Sequence, residues 1–404
     1  MRAVRFFRVW ASLALLSAAA TPALAQAPDP DTRESVVEDA QADKAKQLHP
    51  YVPDAGERVI TRVENTLLYS TSRWRPYFEN AYRGGGFALG AAYMHHVSAY
   101  NFIDIRGSYS IRAYKRVEAE FVSPQLFHRR GTLSVMGGWR EATQVGFFGT
   151  GTSTSLDDRT NYGLQQPFAS ALLTVKPTRR YLTLIGGAEW SRVLQRPGQG
   201  AYPSVESKYT PATLPGLGAE PTYVRTQATV GFDWRPAPAY ARRGGFYGVT
   251  FNDFADRDKA FGFRRIDYEV IQHVPILREA WVISLHGLAS TTSKKHDQDI
   301  PFFLLPSLGG GSNLRGFSSW RFRDRHSLLL QAEWRIPVNR FLDTAVFYDA
   351  GKVAARAEDL NFDGLKSDYG FGVRFHSPFA TALRIDVARS NEGTSLVFAT
   401  GAAF

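Results

Sequence analysis

Leu308-Gly309-Gly310-Gly311-Ser312-Asn313-Leu314-Arg315-Gly316-Phe317 is a glycine-rich loop followed by two strand-like runs, Ser327 to Val338 and Thr344 to Gly351. Side chains in a strand alternate between two faces. In the first run Leu328, Leu330, Ala332, Trp334 and Ile336 share one face, and Leu329, Gln331, Glu333 and Arg335 share the other. In the second, Val346, Tyr348 and Ala350 lie opposite Phe347, Asp349 and Gly351. Each run thus carries one carboxylate on its inner face, and the loop before them carries an arginine. A planar guanidinium can bind a carboxylate through two parallel hydrogen bonds, so Arg315 with Asp349 and Glu333 reads as one buried charge pair whose role is to fix the loop. The bland alternative is a solvated external loop. Gly316 allows a tight backbone at the tip, and Gly309 to Gly311 let the loop turn back.

Working outward, the chain start is a separate matter. Arg2, Arg5 and Arg8 precede an apolar run from Val9 to Ala20, and Ala23-Leu24-Ala25 offers a small-residue cleavage site, so residues 1–25 read as a secretory signal peptide. Zero Cys excludes disulfides, thiolate metal sites and lipid attachment at a mature N-terminal Cys. Residues 26–58 are polar and read as a flexible leader with a short helix around Val36 to Gln47. Residues 59–85 read as a short helix and linker. Val59, Ile60, Val63 and Leu67 fall on one helical face, while a first strand over Val59 to Tyr69 is the competing reading.

No later apolar run reaches the roughly 18 residues of a spanning helix. From Gly86 to Phe404 the chain is instead a succession of alternating runs. They lie near Gly86–His96, Phe102–Ala113, Arg116–Val122, Thr132–Arg140, Phe168–Lys176, Tyr181–Val193, Tyr223–Trp234, Gly245–Phe254, Phe263–Pro275 and Ala280–Ser290. After the Arg315 loop come Ser327–Val338, Thr344–Val353, Tyr369–His376, Thr381–Ala388 and Leu396–Phe404. A sixteenth comes from Val59–Tyr69 or from a split of Thr132–Phe148. Aromatics at 13% suit the interface girdles of a membrane barrel, and a mean hydropathy of −0.25 is no objection when alternate residues face water. The expectation is a 16-stranded antiparallel transmembrane β-barrel over residues 86–404, with an inward-folded loop and a short N-terminal amphipathic helix. Short connections such as Lys176 to Tyr181 and long ones such as Gln195 to Pro221 fit its periplasmic and extracellular ends.

The Leu-Arg-Gly-Phe tip at 314–317, the Glu-Trp-Arg-Ile-Pro strand from Glu333 and the Phe-Tyr-Asp-Ala-Gly strand from Phe347 together resemble the outer-membrane-assembly barrel superfamily, of the BamA/TamA and two-partner-secretion type. The resemblance implies a loop folded into the lumen, Leu314, Arg315, Gly316 and Phe317 as its lock, and Glu333 and Asp349 as the wall partners. It also implies first and last strands that pair weakly and can part for a client. The terminal Phe404, sharing a face with Ala402, Thr400, Phe398 and Leu396, resembles an outer-membrane assembly signal. Each POTRA module of such relatives needs about 75 residues, and residues 26–85 show no βααββ pattern, so this reads as a barrel without those receptor domains.

Catalysis finds little support. His95 and His96 are adjacent and point to opposite strand faces, His286 and His376 read as polar wall residues, and Lys294 to Asp299 reads as a solvated loop. Neither Gly-Gly-Gly run opens a phosphate-binding loop. The expectation is a monomeric bacterial outer-membrane protein that inserts or moves polypeptides or lipids, without catalysis, cofactor or metal. Its partners are outer-membrane lipid, lipopolysaccharide and a periplasmic or polypeptide partner. The net charge of +10 is assigned to an Arg-rich lumen and anionic lipid rather than to nucleic acid. The other reading is a passive pore or structural barrel that has lost the insertase role.

Overall fold

A computed structural model describes residues 33–47, 73–178, 181–277, 281–377 and 380–404. The signal-peptide reading and the helix-or-strand question over Val59 to Tyr69 lie outside these residues. The chain divides into two compact units, 1–55 and 56–404. Of the first, the helix Arg33–Gln47 is described; it is polar, with Lys44 and Lys46 in its last turn, where cations suit the helix dipole.

The second unit is built on one large antiparallel sheet of seventeen strand segments. Leu194–Pro197 continues Leu182–Arg192 past a break at Val193, so the segments occupy sixteen positions. In chain order they are Trp74–Tyr77, Ala88–His96, Phe102–Ser110, Lys115–Gln125, Gly131–Phe147, Thr160–Val175, Leu182–Arg192 with its continuation, and Thr222–Asp233. The rest are Gly244–Asp256, Phe263–Ile276, Trp281–Lys294, His326–Asn339, Leu342–Ala354, Lys366–His376, Thr381–Ser390 and Gly393–Ala399. Each is laddered to the next, as in an up-and-down barrel. No described helix is long and apolar enough to cross a membrane.

Several boundaries differ from expectation, among them the start of Thr160–Val175, eight residues before the expected Phe168, and three that change the strand plan. The sixteenth strand is Trp74–Tyr77, four residues inside the segment read as linker. Its Pro76 stands within a short strand, which the alternation pattern alone passes over. Gly131–Phe147 is one strand rather than two, carried through a bulge between Ala142 and Val145. The last strand stops at Ala399 instead of Phe404, because the backbone bends and Gly401 takes φ +82°.

The alternation is otherwise as read. From Leu329 to Arg335 the odd-numbered residues are buried and the even-numbered ones face out. The outer surface carries Tyr348, Tyr369, Phe371, Leu396 and Phe398, each more than half exposed. An apolar surface so extensive in water would drive association, whereas on a barrel it is the lipid-facing belt. The long connections 148–159, 198–221, 295–325 and 355–365 fall at one end, here the loop end, and the shorter turns at the other, the turn end. At the loop end Phe147, Tyr162, Leu214, Leu217, Phe302 and Phe303 pack into a core.

Candidate functional site: the loop lock in the lumen

Residues 295–325 leave the strand Trp281–Lys294 and turn into the barrel. A two-rung ladder, Ser307–Leu308 with Phe322–Arg323, closes the neck of the tip. Leu308, Leu314, Phe317 and Phe322 are buried against Leu329 and Val353 of the wall. Burying each such side chain contributes about 1.5–3 kcal/mol, so the tip is seated before any charge is counted. Gly309 holds φ +110°, where a side chain would meet the Ser318 carbonyl, and its amide donates to Asn313 Oδ1 at 2.7 Å. Gly316 is required by proximity: a Cβ there would lie 2.6 Å from Cβ of Asp368.

Arg315 is the centre of the site. Its Nε donates to Asp349 Oδ2 at 2.6 Å and its Nη2 to Asp349 Oδ1 at 2.8 Å, the bidentate fork expected of this pair. Nη1 donates to Glu333 Oε2 at 2.9 Å and to Asp386 Oδ2 at 3.5 Å. The guanidinium lies 3.4 Å from the centre of the Phe347 ring, a cation–π contact. Arg315 and Asp349 have fully buried side chains. The single buried pair expected from the sequence is part of a larger buried network, and Arg315 reaches both carboxylates at once.

The network has members the sequence reading missed. Arg374 donates to Glu333 Oε2 at 2.7 Å and also bonds Asp386. Arg384 donates to the Gly311 carbonyl at 2.5 Å, and Gln331 bridges Asp349 Oδ1 and the Asn313 carbonyl. Ser390 Oγ donates to the Gly316 carbonyl at 2.8 Å. A signal was present: Asp386 sits between Ile385 and Val387, and Arg374 between Val373 and Phe375, so period two already placed those charges on the lumen face. The network counts three guanidiniums against four carboxylates, because buried Asp368, opposite Asp349 in the ladder, also belongs to it. Among the described residues neither oxygen of Asp368 receives a hydrogen bond.

The turn end is occupied too. Tyr240, in the connection 234–243, donates to Asp343 Oδ2 at 2.7 Å and stacks on His376 at 3.9 Å. Arg335 donates to the Ala241 carbonyl. Phe404 does not continue the face of Leu396 and Phe398; it turns inward, its ring 5.1 Å from that of His286 and 6.3 Å from that of His273. The cavity beside it, lined by Arg335, Arg374 and Ala402 among others, is about 10 Å³, hardly room for one water. His286 and His376 are buried wall residues as read, each within hydrogen-bond reach of a carboxylate: Glu269 for His286 and Asp343 for His376.

With this geometry in hand, a family model described as the Omp85 superfamily domain matches residues 101–402. The chain belongs to the Omp85 superfamily. It is an outer-membrane β-barrel of that superfamily, and its fold is like that of BamA. Among solved structures it is similar to BamA from Haemophilus ducreyi lacking POTRA domains 1–3, with a TM-score of 0.58 and 14% identity over 85% of this chain and 77% of that one. It is also matched by CdiB from Acinetobacter baumannii, with a TM-score of 0.49 and 9% identity over 78% of this chain and 57% of that one. No curated protein matches it in sequence.

Proposed function

We propose that this Omp85 barrel inserts or translocates polypeptides at the outer membrane, with its lumen held shut at rest. The observation that supports this reading is the Arg315 tip, clamped by Asp349, Glu333 and Asp386 in the middle of the lumen. A passive pore gains nothing from a loop locked across its path, whereas a gated barrel needs a fixed resting position. The two partners in this reading are outer-membrane lipid with lipopolysaccharide, met by the apolar belt, and a polypeptide, either client or periplasmic. The barrel works as a monomer, without catalysis or cofactor and without nucleic acid. Two measurements test this. Depleting the protein should lower the amount of some folded outer-membrane or secreted polypeptide, assayed by quantitative proteomics of the membrane and medium. In a planar bilayer the purified full chain should be silent or flicker rarely; a large, steady, anion-preferring current with an unchanged proteome would overturn the proposal in favour of a passive pore.

A further inference from the structure

Several arginines at the loop end form no ion pair among the described residues, and two of them, Arg83 and Arg323, meet at the neck of the inserted loop. Arg323 sits on the neck ladder with 1% of its surface exposed, its Nη1 donating to the Tyr162 hydroxyl at 2.7 Å and to the Phe302 carbonyl at 2.9 Å. Among the described residues its Nε and Nη2 have no hydrogen-bond partner. Arg83, from the connection between the first two strands, donates through Nη2 to Ser307 Oγ at 2.7 Å. Ser307 is the residue directly opposite Arg323 in that ladder, and opposite residues project their side chains to the same face about 5 Å apart. Both guanidiniums lie against the Trp320 ring, at 4.2 and 5.2 Å from its centre, and each is close enough to the other for the charge of Arg323 to act on Arg83. Among the described residues neither forms an ion pair with a carboxylate. Burial, and then the charge of Arg323, push the Arg83 guanidinium below its ordinary value.

Two hydroxyls complete the arrangement. Those of Tyr162 and Ser307 each accept a bond from an arginine, which leaves the hydroxyl protons to donate elsewhere. Two cations and two hydroxyl donors thus meet with no acceptor of negative charge, in a place where an uncompensated charge is costly. We infer that Arg83, Arg323, Tyr162 and Ser307 form a binding site for a small inorganic anion, a halide or a phosphate-sized oxoanion. The bound anion joins the connection after the first strand to the neck of the inserted loop, two segments that Trp320 already links by donating to the Arg83 carbonyl at 2.9 Å. This is a second fastening for the loop, independent of the Arg315 lock and of the polypeptide-handling role.

The test uses the full chain in detergent at constant ionic strength, with gluconate replaced stepwise by chloride or by phosphate. The thermal unfolding midpoint should rise by about 2–5 °C and saturate, as for a ligand that binds only the folded state. Whichever anion acts at the lower concentration identifies the ligand class. Arg83→Gln and Arg323→Gln should each weaken the half-saturating concentration by at least about tenfold. A midpoint indifferent to anion, or a rise that both variants retain, would overturn the site. If a variant fails to fold, crystals of the unaltered protein in bromide decide the matter: an anomalous peak between Arg83 and Arg323 supports the site, and its absence at saturating bromide rejects it.

Discussion

The barrel holds two charge networks in its lumen, built from the same residue types and organised differently. The one around Arg315 joins a loop to four consecutive wall strands, and its arginines Arg315, Arg374 and Arg384 have 0%, 2% and 3% of their side chains exposed. The other lies under the early strands. There Arg75 forks onto Asp104 at 3.0 and 2.6 Å, Arg106 reaches Glu118 and Glu120 at 2.7 and 2.9 Å, and Arg116 grips Glu118 at 2.8 Å. Those three arginines are 17–18% exposed, so water shares the load. Redundancy differs as well. Asp104 and Glu118 are each met by two arginines, and so is Glu333 in the Arg315 network, but among the described residues Asp349 has Arg315 as its one guanidinium and otherwise Gln331. A dry network with a single indispensable member fixes one geometry; a wet, redundant one tolerates loss.

Arg315→Ala should break that contrast most severely. It strands Asp349 without water or cation, and removing one partner of a buried pair costs about 3–5 kcal/mol. The ladders between strands are untouched, so the barrel should still form. The expected readouts are a lowered unfolding temperature on a semi-native gel and new protease cleavage near Gly311 in intact cells. Unchanged protection would mean that apolar packing of Leu314 and Phe317 holds the loop by itself. Asp368→Asn should sharpen the contrast in the opposite direction. The variant removes a buried carboxylate that receives no hydrogen bond among the described residues, and supplies an amide that can donate to Asp349 across the ladder, so stability should rise by about 1–2 kcal/mol. A drop in the unfolding midpoint would show that the carboxyl is already satisfied. Phe404→Ala acts at the other end of the lumen. Losing the stack on His286 and His273 should cost about 1 kcal/mol, seen as a slightly lower midpoint together with more frequent openings in a planar bilayer. An unaltered current record would show that the tail does not contribute to closure.

How much of this could be read from the sequence follows from which forces act locally. Period two exposed the wall strands, and the coincidence of Arg315, Glu333 and Asp349 with three ordered motifs pointed to the lock. What stayed hidden was how far the inserted loop reaches: Arg374 and Asp386 lie 59 and 71 positions beyond Arg315, and nothing local says that the tip meets their strands as well as the two before them. Trp74–Tyr77 was missed because four residues with a central proline carry no period. Phe404 was misplaced because its alternation with Phe398 and Leu396 is real in the sequence, while the bend after Ala399 that turns it inward is set by His286 and His273 on strands more than a hundred residues earlier.

Arg106→Gln is the smallest expected effect and the strictest check on the comparison. Arg106 touches three carboxylates, one more than any neighbour in its network, and a count of ion pairs would make it as important as Arg315. The physical expectation is different. After the change Asp104 keeps Arg75, Glu118 keeps Arg116, and Glu120 keeps the Ser134 hydroxyl at 2.6 Å. Partial exposure screens what remains, as it does for surface pairs worth about 0–1 kcal/mol. The unfolding midpoint should therefore shift by less than a third of the Arg315→Ala shift, measured in the same detergent and on the same gel. A loss as large as that of Arg315→Ala would mean that solvent access and redundancy do not separate the two networks, and that the early strands are clamped as firmly as the loop.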